Sequence, residues 1–292
     1  MATPSPAAGA AAPILLLALV ISLVLPHGPA SADVGAAQQR AERAPIVVLD
    51  PGHGGTEVGA VTPEGDLGEE TVNLRIALRL ADLLRADGYR VVLTRDSDRP
   101  VDPRYAGGGG YPGVRTDLQA RIDIANAAGA DLFISIHNNG GPAGTSGTEV
   151  WYSKLRPFAE RNRYLAEAVY NGILTNLRAI GYWPVPRGIK DDTSFRIFRG
   201  QAYNIYVLGP GDGPRQHTPT MMPGILGESL FMSNPADAAV LRRADGIDAI
   251  ARGYRAGVRA YLEAFPVGVA SVPIVETPVA KPEGEGIAPA RP

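Results

Sequence analysis

The stretch that decides the fold is Ile46-Val47-Val48-Leu49-Asp50-Pro51-Gly52-His53-Gly54-Gly55. Its first four residues form an unbroken apolar run, which is typical of a parallel strand buried on both faces. Its second half changes to polar and glycine residues. Glycines around His53 let the backbone bend away from the end of the strand, so that the imidazole points across the edge of a sheet. The stretch therefore predicts a buried strand followed by a polar turn.

The same alternation continues along the chain. After the first strand, apolar residues recur at helical spacing from Leu74 to Leu84, and Gly88 follows as a stop signal. Further strands are expected at 90–93, 131–135, 149–152 and 224–227, and a long helix at 161–180. Such alternation indicates an α/β fold. We expect a single domain with a twisted, mainly parallel sheet flanked by helices, and an active site at the C-terminal edge of the strands.

Three local signals refine this organisation. Thr116 and Gln119 have the spacing of a capping box, which predicts that a helix opens at Thr116. Residues 195–208 suggest a hairpin around 199–201. Asn234 followed by Pro235 favours the start of the final helix, because Asn caps helices well and Pro suits the first helical position.

Polar residues follow the buried strands directly. His53, His137 and Glu228 each come at or just after the end of a predicted strand. Parallel strands end at one edge of a sheet, and ligands in open α/β folds bind outside that edge. We therefore expect these three side chains on one rim. Histidines and a carboxylate suit a catalytic zinc, with the third ligand expected from Glu69 or Glu70 at the mouth of the first helix.

Each of these residues has a simpler interpretation when it is taken alone. A single histidine at a strand end is more often a hydrogen-bonded surface residue. Glu69 and Glu70 could simply favour the positive end of a helix dipole. Glu228 is harder to explain in this way, because a carboxylate just inside a buried strand is costly unless it is paired. Taken together, the residues favour a metal site.

The composition excludes several other functions. The 292-residue chain has a net charge of −2 and no cysteine. Nucleic acid is not an expected partner, since no long basic run is present. The absence of cysteine excludes disulfides, thiolate metal sites, a cysteine nucleophile and lipidation on cysteine.

Both ends of the chain differ from the centre. Residues 1–32 contain an apolar run from Ala10 to Leu25 and then Ala30-Ser31-Ala32, which resembles a signal-peptidase site. The run is short for a membrane span, which needs roughly 20 residues, although the positive residues usual before such a run are missing. A cleaved export signal is favoured over an uncleaved anchor, and no stable membrane insertion is expected after cleavage. Residues 33–44 are a linker, and 266–292 form a Pro- and Ala-rich tail with a composition typical of disorder.

Seven motifs carry a resemblance to a known family. They are, in order, 46–55, Gly68-Glu69-Glu70-Thr71-Val72-Asn73-Leu74, Thr94-Arg95-Asp96, Arg121 with Ala125-Asn126, Ser135-Ile136-His137-Asn138-Asn139, Arg187-Gly188-Ile189-Lys190 and Glu228-Ser229-Leu230-Phe231-Met232-Ser233-Asn234. This order resembles the zinc N-acetylmuramoyl-L-alanine amidases of the Amidase_3 type. The resemblance covers essentially all of 45–265, the expected catalytic domain.

The resemblance implies roles for individual residues. His53, Glu69 and His137 would be the ligands of one Zn²⁺ per chain, and Glu228 the catalytic glutamate. Glu69 rather than Glu70 matches the family ligand, because it stands three residues before Val72 and five before Leu74. Glu70 would then be a solvated charge in the first turn of the helix.

The implied reaction is hydrolysis of the amide bond between N-acetylmuramic acid and L-alanine in peptidoglycan. Peptidoglycan is the expected partner, a protein activator is a further candidate, and the expected location is the cell envelope, in the periplasm or cell wall. Two alternatives stay open: a zinc hydrolase of another wall bond, and a non-catalytic peptidoglycan-binding or activator protein on the same fold.

Two regions depart from the family pattern. Residues 99–116 are longer and richer in glycine than usual, which favours a mobile surface loop. Residues 209–222 precede the strand with Glu228, so His217 within them is a lesser candidate for contact with zinc or substrate.

Overall fold

The computed structural model of this chain describes residues 43–105, 110–194, 196–197, 201–202, 204–211 and 217–267. The predicted export signal at 1–32 lies outside these residues, as do nearly all of the linker and all but the first two residues of the C-terminal tail. Within the described part, no helix combines the length and apolarity needed to cross a membrane.

Six strands form the main sheet: β1 (Ile46–Pro51), β2 (Arg90–Leu93), β3 (Leu132–Asn139), β4 (Thr148–Tyr152), β5 (Pro186–Asp191) and β8 (Gly224–Phe231). A separate antiparallel pair consists of β6 (Arg196–Ile197) and β7 (Gln201–Ala202). The spatial order in the main sheet is β2-β1-β3-β8-β4-β5. The first four of these run parallel, whereas β4 lies antiparallel to β8, and β5 pairs parallel with β4. The fold is therefore α/β with a mainly parallel sheet.

Helices cover both faces of the sheet. Successive strand residues point to opposite faces, and in the buried strands both sets are apolar, so each face needs a covering layer. Val47 and Leu49 join the larger core cluster, and Ile46 and Val48 join the smaller one. The helices are α1 (Glu69–Ala86), α2 (Gly110–Ala127), α3 (Ala159–Ala179), α4 (Pro235–Arg242) and α5 (Ala244–Ala264). Helices α1, α3, α4 and α5 contribute to the larger cluster, and α2 contributes to the smaller one.

Several boundaries differ from the expected ones. Helix α2 begins at Gly110, so the capping box predicted at Thr116 is wrong. Thr116 lies inside the helix, where its hydroxyl donates to the Gly113 carbonyl 2.8 Å away, as Ser and Thr often do within helices. The predicted loop at 99–116 is accordingly helical from Gly110 onward, and 106–109 lie outside the described residues.

Other differences concern strand length and helix number. Strands β3 and β8 run on to Asn139 and Phe231, because their polar ends still pair with neighbouring strands. Strand β5 was not expected. The hairpin within 195–208 is present but its paired strands are only two residues long. Asn234 does cap a helix, accepting from the Ala236 and Asp237 amides, but this is α4, and the final helix α5 starts after a break at Arg243.

Candidate active site

His53 lies where β1 ends, in a backbone conformation that few residues adopt. Its φ is +63°, and it is the only residue other than glycine with a positive φ in the described part of the chain. Left-handed backbone of this kind is strained for a residue with a side chain and occurs preferentially at functional sites. The turn aims the imidazole across the edge of the sheet.

Two buried arginines fix the backbone of this turn. Arg95 donates to the carbonyls of Pro51 and Gly52 at 2.9 and 2.8 Å. Arg121 donates to the carbonyls of Pro51 and His53 at 2.8 and 2.7 Å, and to the buried Asp50 carboxylate at 2.8 Å. Since a buried charge is tolerated only with partners, these contacts hold both the arginines and the turn in one geometry.

Glu69, the first residue of α1, joins two histidines. Its Oε2 lies 3.1 Å from His53 Nε2, and its Oε1 lies 3.0 Å from His137 Nδ1. Further donors fix the same carboxylate: the Ala60 amide, the Asn73 side chain and the Asn138 amide, at 3.0 to 3.1 Å. The side chain is only 5% exposed, so Glu69 is held rigidly between the two rings.

These three residues have the geometry of a metal site. One ligand atom from each of His53, Glu69 and His137 can be chosen so that all lie within 4.8 Å of one another. The imidazole side chains are 21% and 18% exposed, so the cluster is reached from the rim. Two nitrogens and one carboxylate oxygen are a donor set suited to zinc. The cluster could therefore hold such an ion.

The charges of His53, Glu69 and His137 shift the pKa values of His53 and Glu69. Burial alone would lower the pKa of His53, but the charge of Glu69 and the hydrogen bonds that the ring donates to Glu57 and Glu69 raise it to about 10. Burial would likewise raise the pKa of Glu69, but the two histidines hold it well below its usual range. The site is thus a carboxylate paired with a proton-holding imidazole, and a cation can replace that proton.

Glu57 is a member of this site that the sequence did not reveal. Its Oε2 lies 2.5 Å from Nδ1 of His53, on the side of the ring opposite the nitrogen that faces Glu69. A carboxylate on the second nitrogen of a metal-ligating histidine fixes the tautomer and the ring orientation. The sequence places Glu57 four residues after His53, but this spacing alone does not predict a contact, because the contact depends on the geometry of the turn.

Glu228 lies beside the cluster, within β8. It is the register partner of His137 on β3. The residue is partly accessible, yet its Oε2 is buried and no donor among the described residues reaches it. Burial raises the pKa of Glu228 well above its usual value, and the charges of Glu69 and Glu149 add to this effect. A carboxyl group with a raised pKa next to a cluster that could hold a metal suits proton transfer.

Glu149 is the second residue that sequence reasoning missed. It lies on β4, directly opposite Glu228. Its Oε2 accepts from Arg187 Nε and Lys190 Nζ, both at 2.6 Å. Its Oε1 accepts from Asn139 and from the Trp151 indole, both at 3.1 Å. Burial would raise the pKa of Glu149, but Lys190 and Arg187 lower it.

Two other expected placements are wrong or differ. Glu70 is not a solvated first-turn charge: it is 7% exposed, and Thr71 donates to its Oε1 at 2.9 Å. It folds back because Gly68 leaves room beside its carboxylate. His217 is not part of the metal cluster. Its ring stacks on Tyr206, with centroids 4.1 Å apart, and Tyr206 belongs to the smaller core cluster.

Comparison with known proteins agrees with this architecture. The family model described as N-acetylmuramoyl-L-alanine amidase matches residues 47–260. The germination-specific N-acetylmuramoyl-L-alanine amidase of Bacillus subtilis (strain 168) is 32% identical over 218 residues, which cover 74% of this chain and 79% of the relative.

Solved structures give the same picture. The N-acetylmuramoyl-L-alanine amidase AmiC2 of Nostoc punctiforme is 31% identical, with a TM-score of 0.56 over 75% of this chain and 97% of its own. An N-acetylmuramoyl-L-alanine amidase from Clostridium difficile 630 is 27% identical, with a TM-score of 0.58 over 76% of this chain and 98% of its own. The match to the family model spans both histidines, Glu69 and Glu228, and the chain belongs to the N-acetylmuramoyl-L-alanine amidase family.

Proposed function

We propose that this cell-wall amidase is zinc-dependent, and that it hydrolyses the bond between the lactyl carboxyl group of N-acetylmuramic acid and the amino group of L-alanine. The observation that carries the proposal is the pairing of the His53–Glu69–His137 cluster with Glu228 on the neighbouring strand. One Zn²⁺ per chain would be held by these three residues. Two histidines and one carboxylate match the three-ligand sets of catalytic zinc sites, in which the ion would supply a position for water or substrate.

Bound zinc would supply Lewis acidity, increasing the acidity of a water molecule and polarising the amide carbonyl. The remaining steps belong to the protein. Glu228, ionised, accepts a proton from the attacking water as the carbon–oxygen bond forms. It then delivers this proton to the nitrogen of L-alanine as the carbon–nitrogen bond breaks. Glu228 suits this exchange because, in the part of the chain that the structure describes, no donor engages its Oε2.

The remaining residues prepare the site. Glu57 orients the His53 ring through Nδ1. Asn73 and the Asn138 amide fix Glu69. Arg95 and Arg121 hold the turn that presents His53.

The cellular setting follows from the substrate. An enzyme of this family meets peptidoglycan only outside the cytoplasmic membrane, which is consistent with the export signal predicted at 1–32. We place the mature chain in the cell envelope, in the periplasm or cell wall. A protein activator stays a candidate partner.

The test is digestion of purified peptidoglycan by the zinc-loaded protein, with products identified by mass spectrometry. Stem peptides with a free L-alanine amino terminus are expected. Glu228→Gln should lower the rate by about 10²- to 10⁴-fold, the usual contribution of general acid–base catalysis, while zinc content stays unchanged. A chelated sample should be inactive and recover with zinc. Fragments cut at another bond would refute the assignment.

A further inference from the structure

A pair of cationic side chains lies beside the proposed active site, on the far side of Glu149. Arg187 and Lys190 both contact the same oxygen of that carboxylate. Glu149 is 3% exposed, whereas the Arg187 and Lys190 side chains are 30% and 29% exposed. The carboxylate is therefore buried beneath two cations that face solvent.

A bulge in β5 brings the two cations together. Side chains three residues apart on a regular strand point to opposite faces, yet Arg187 and Lys190 reach one atom. The pairing of β4 with β5 shifts register between Thr148 and Val150, and Gly188 has a φ of +81°. The extra residue rotates the strand, as bulges near active sites commonly do.

The two cations contact one carboxylate between them, although the charge of Lys190 also reaches Glu228, whose pKa it lowers. Glu149 is the only carboxylate that either side chain contacts among the described residues. Each cation also lies over an aromatic ring: Arg187 over Phe231 at 5.0 Å and Lys190 over Trp151 at 5.1 Å. Such stacking restricts long side chains and holds their charges in fixed positions. A fixed, partly exposed positive charge is suited to a carboxylate ligand.

We propose that Arg187 and Lys190 form a subsite for a free carboxylate of the stem peptide, downstream of the bond that is cut. This inference rests on the proposed function. The two cationic groups contact the carboxylate of Glu149, which pairs with Glu228 on the next strand, while their own backbones lie one strand further on, in β5. The subsite is therefore one to two strand spacings from Glu228, about 5 to 10 Å, and an extended peptide covers about 3.3 to 3.6 Å per residue. The recognised carboxylate therefore belongs to the second or third residue of the stem.

The experiment compares two peptidoglycan fragments that differ only in whether two stem carboxylates are free. Both carry a tetrapeptide stem, and the carboxylates of its second and third residues are free in one and amidated in the other. The zinc-loaded wild-type protein should cleave both, with KM at least about tenfold lower for the free acid, because a charge-assisted hydrogen bond is lost on amidation. The kcat values should be similar.

Variants separate recognition from a purely structural role. The double variant Arg187→Gln/Lys190→Gln should bring the ratio of the two KM values close to one, and Arg187→Lys should keep most of the preference. Lys154→Gln, which removes an exposed cation that pairs with Asp191 beyond the other end of β4, is the matched control and should keep the full ratio. If the two cations only balanced the charge of Glu149, the double variant would cleave both fragments more slowly by the same factor, and the ratio of the KM values would not change.

The outcomes are distinct. Equal KM values for the wild type, or an unchanged ratio in the double variant, would overturn the subsite and leave the amidase intact. Failure of the wild type to cleave either fragment would overturn the proposed function and the subsite with it.

Discussion

Glu149 and Glu228 are register partners on antiparallel strands, but their surroundings are opposite. Four donors surround the carboxylate of Glu149, whereas no described donor reaches Oε2 of Glu228. The pKa of Glu149 is accordingly lowered, and that of Glu228 is raised. Neighbouring carboxyl groups whose pKa values are pushed apart can take different roles, here a permanent anion and a proton carrier.

The first prediction concerns the pH dependence of catalysis. Glu228 accepts a proton only when it is ionised, so kcat/KM falls as the pH drops below its pKa. Glu149→Gln removes a repelling charge and lowers the pKa of Glu228. The acidic limb of the profile should therefore move to lower pH. The measurement is kcat/KM against pH, with Glu160→Gln on the exposed surface of α3 as the control. If the acidic limb of the Glu149→Gln profile stays at the same pH or moves to higher pH, the charge of Glu149 does not act on Glu228 in this way.

The second prediction concerns Glu57. Glu57→Ala removes the carboxylate from Nδ1 of His53, and loss of such a partner typically costs 10- to 100-fold in metal affinity. Zinc affinity should fall by about this factor, measured by competition with a chromophoric chelator. Glu64→Ala is the matched control, because Glu64 is exposed and contacts only Arg242 among the described residues. Equal affinity in wild type and Glu57→Ala would show that Glu57 does not orient the ligand.

The third prediction links metal removal to stability. In the metal-free protein the pKa of His53 is raised from 6.5 to about 10. The folded state thus binds a proton that the unfolded state releases, and this stabilisation is complete below about 6.5 and lost as the pH rises towards 10. Zinc competes with the same proton, so its stabilising effect should grow over that range. Urea unfolding with and without zinc at pH 6 and pH 9 tests this. A zinc-induced gain in unfolding free energy that is smaller at pH 9 than at pH 6 would contradict it.

The fourth prediction concerns space beside His137. A Cβ atom on Gly52 would lie 2.1 Å from the His137 ring, so Gly52→Ala must displace the imidazole or the turn. A displacement of about 1 Å can cost about 100-fold in rate, and we expect a loss of that size together with weaker zinc binding. Gly144→Ala is the control, since nothing lies within 4 Å of its Cβ position. Full activity in Gly52→Ala would refute the close packing.

The placement of His53, His137 and Glu228 at one edge could be predicted from sequence, because it depends only on buried strands running in parallel. Glu57 and Glu149 could not be assigned in this way. The contact of Glu57 depends on the positive φ of His53, and that of Glu149 on β4 running antiparallel beside β8. Neither property is encoded in a local pattern. Helix α2 was placed too late because glycines and a proline at 110–113 conceal its first turn.

The contacts of Arg95 and Arg121 with the turn after β1 matter for any attempt to build this site into another protein. Both arginines bind backbone carbonyls of residues 51–53 rather than their side chains. They therefore fix the number of residues between β1 and His53 while leaving side-chain identity less restricted. A designer who grafts the histidine-bearing turn onto another parallel sheet has to bring both arginines with it, each from a different part of the chain. The part to be transferred then consists of three separate segments, namely the turn, the segment with Arg95 and the segment with Arg121, rather than one loop.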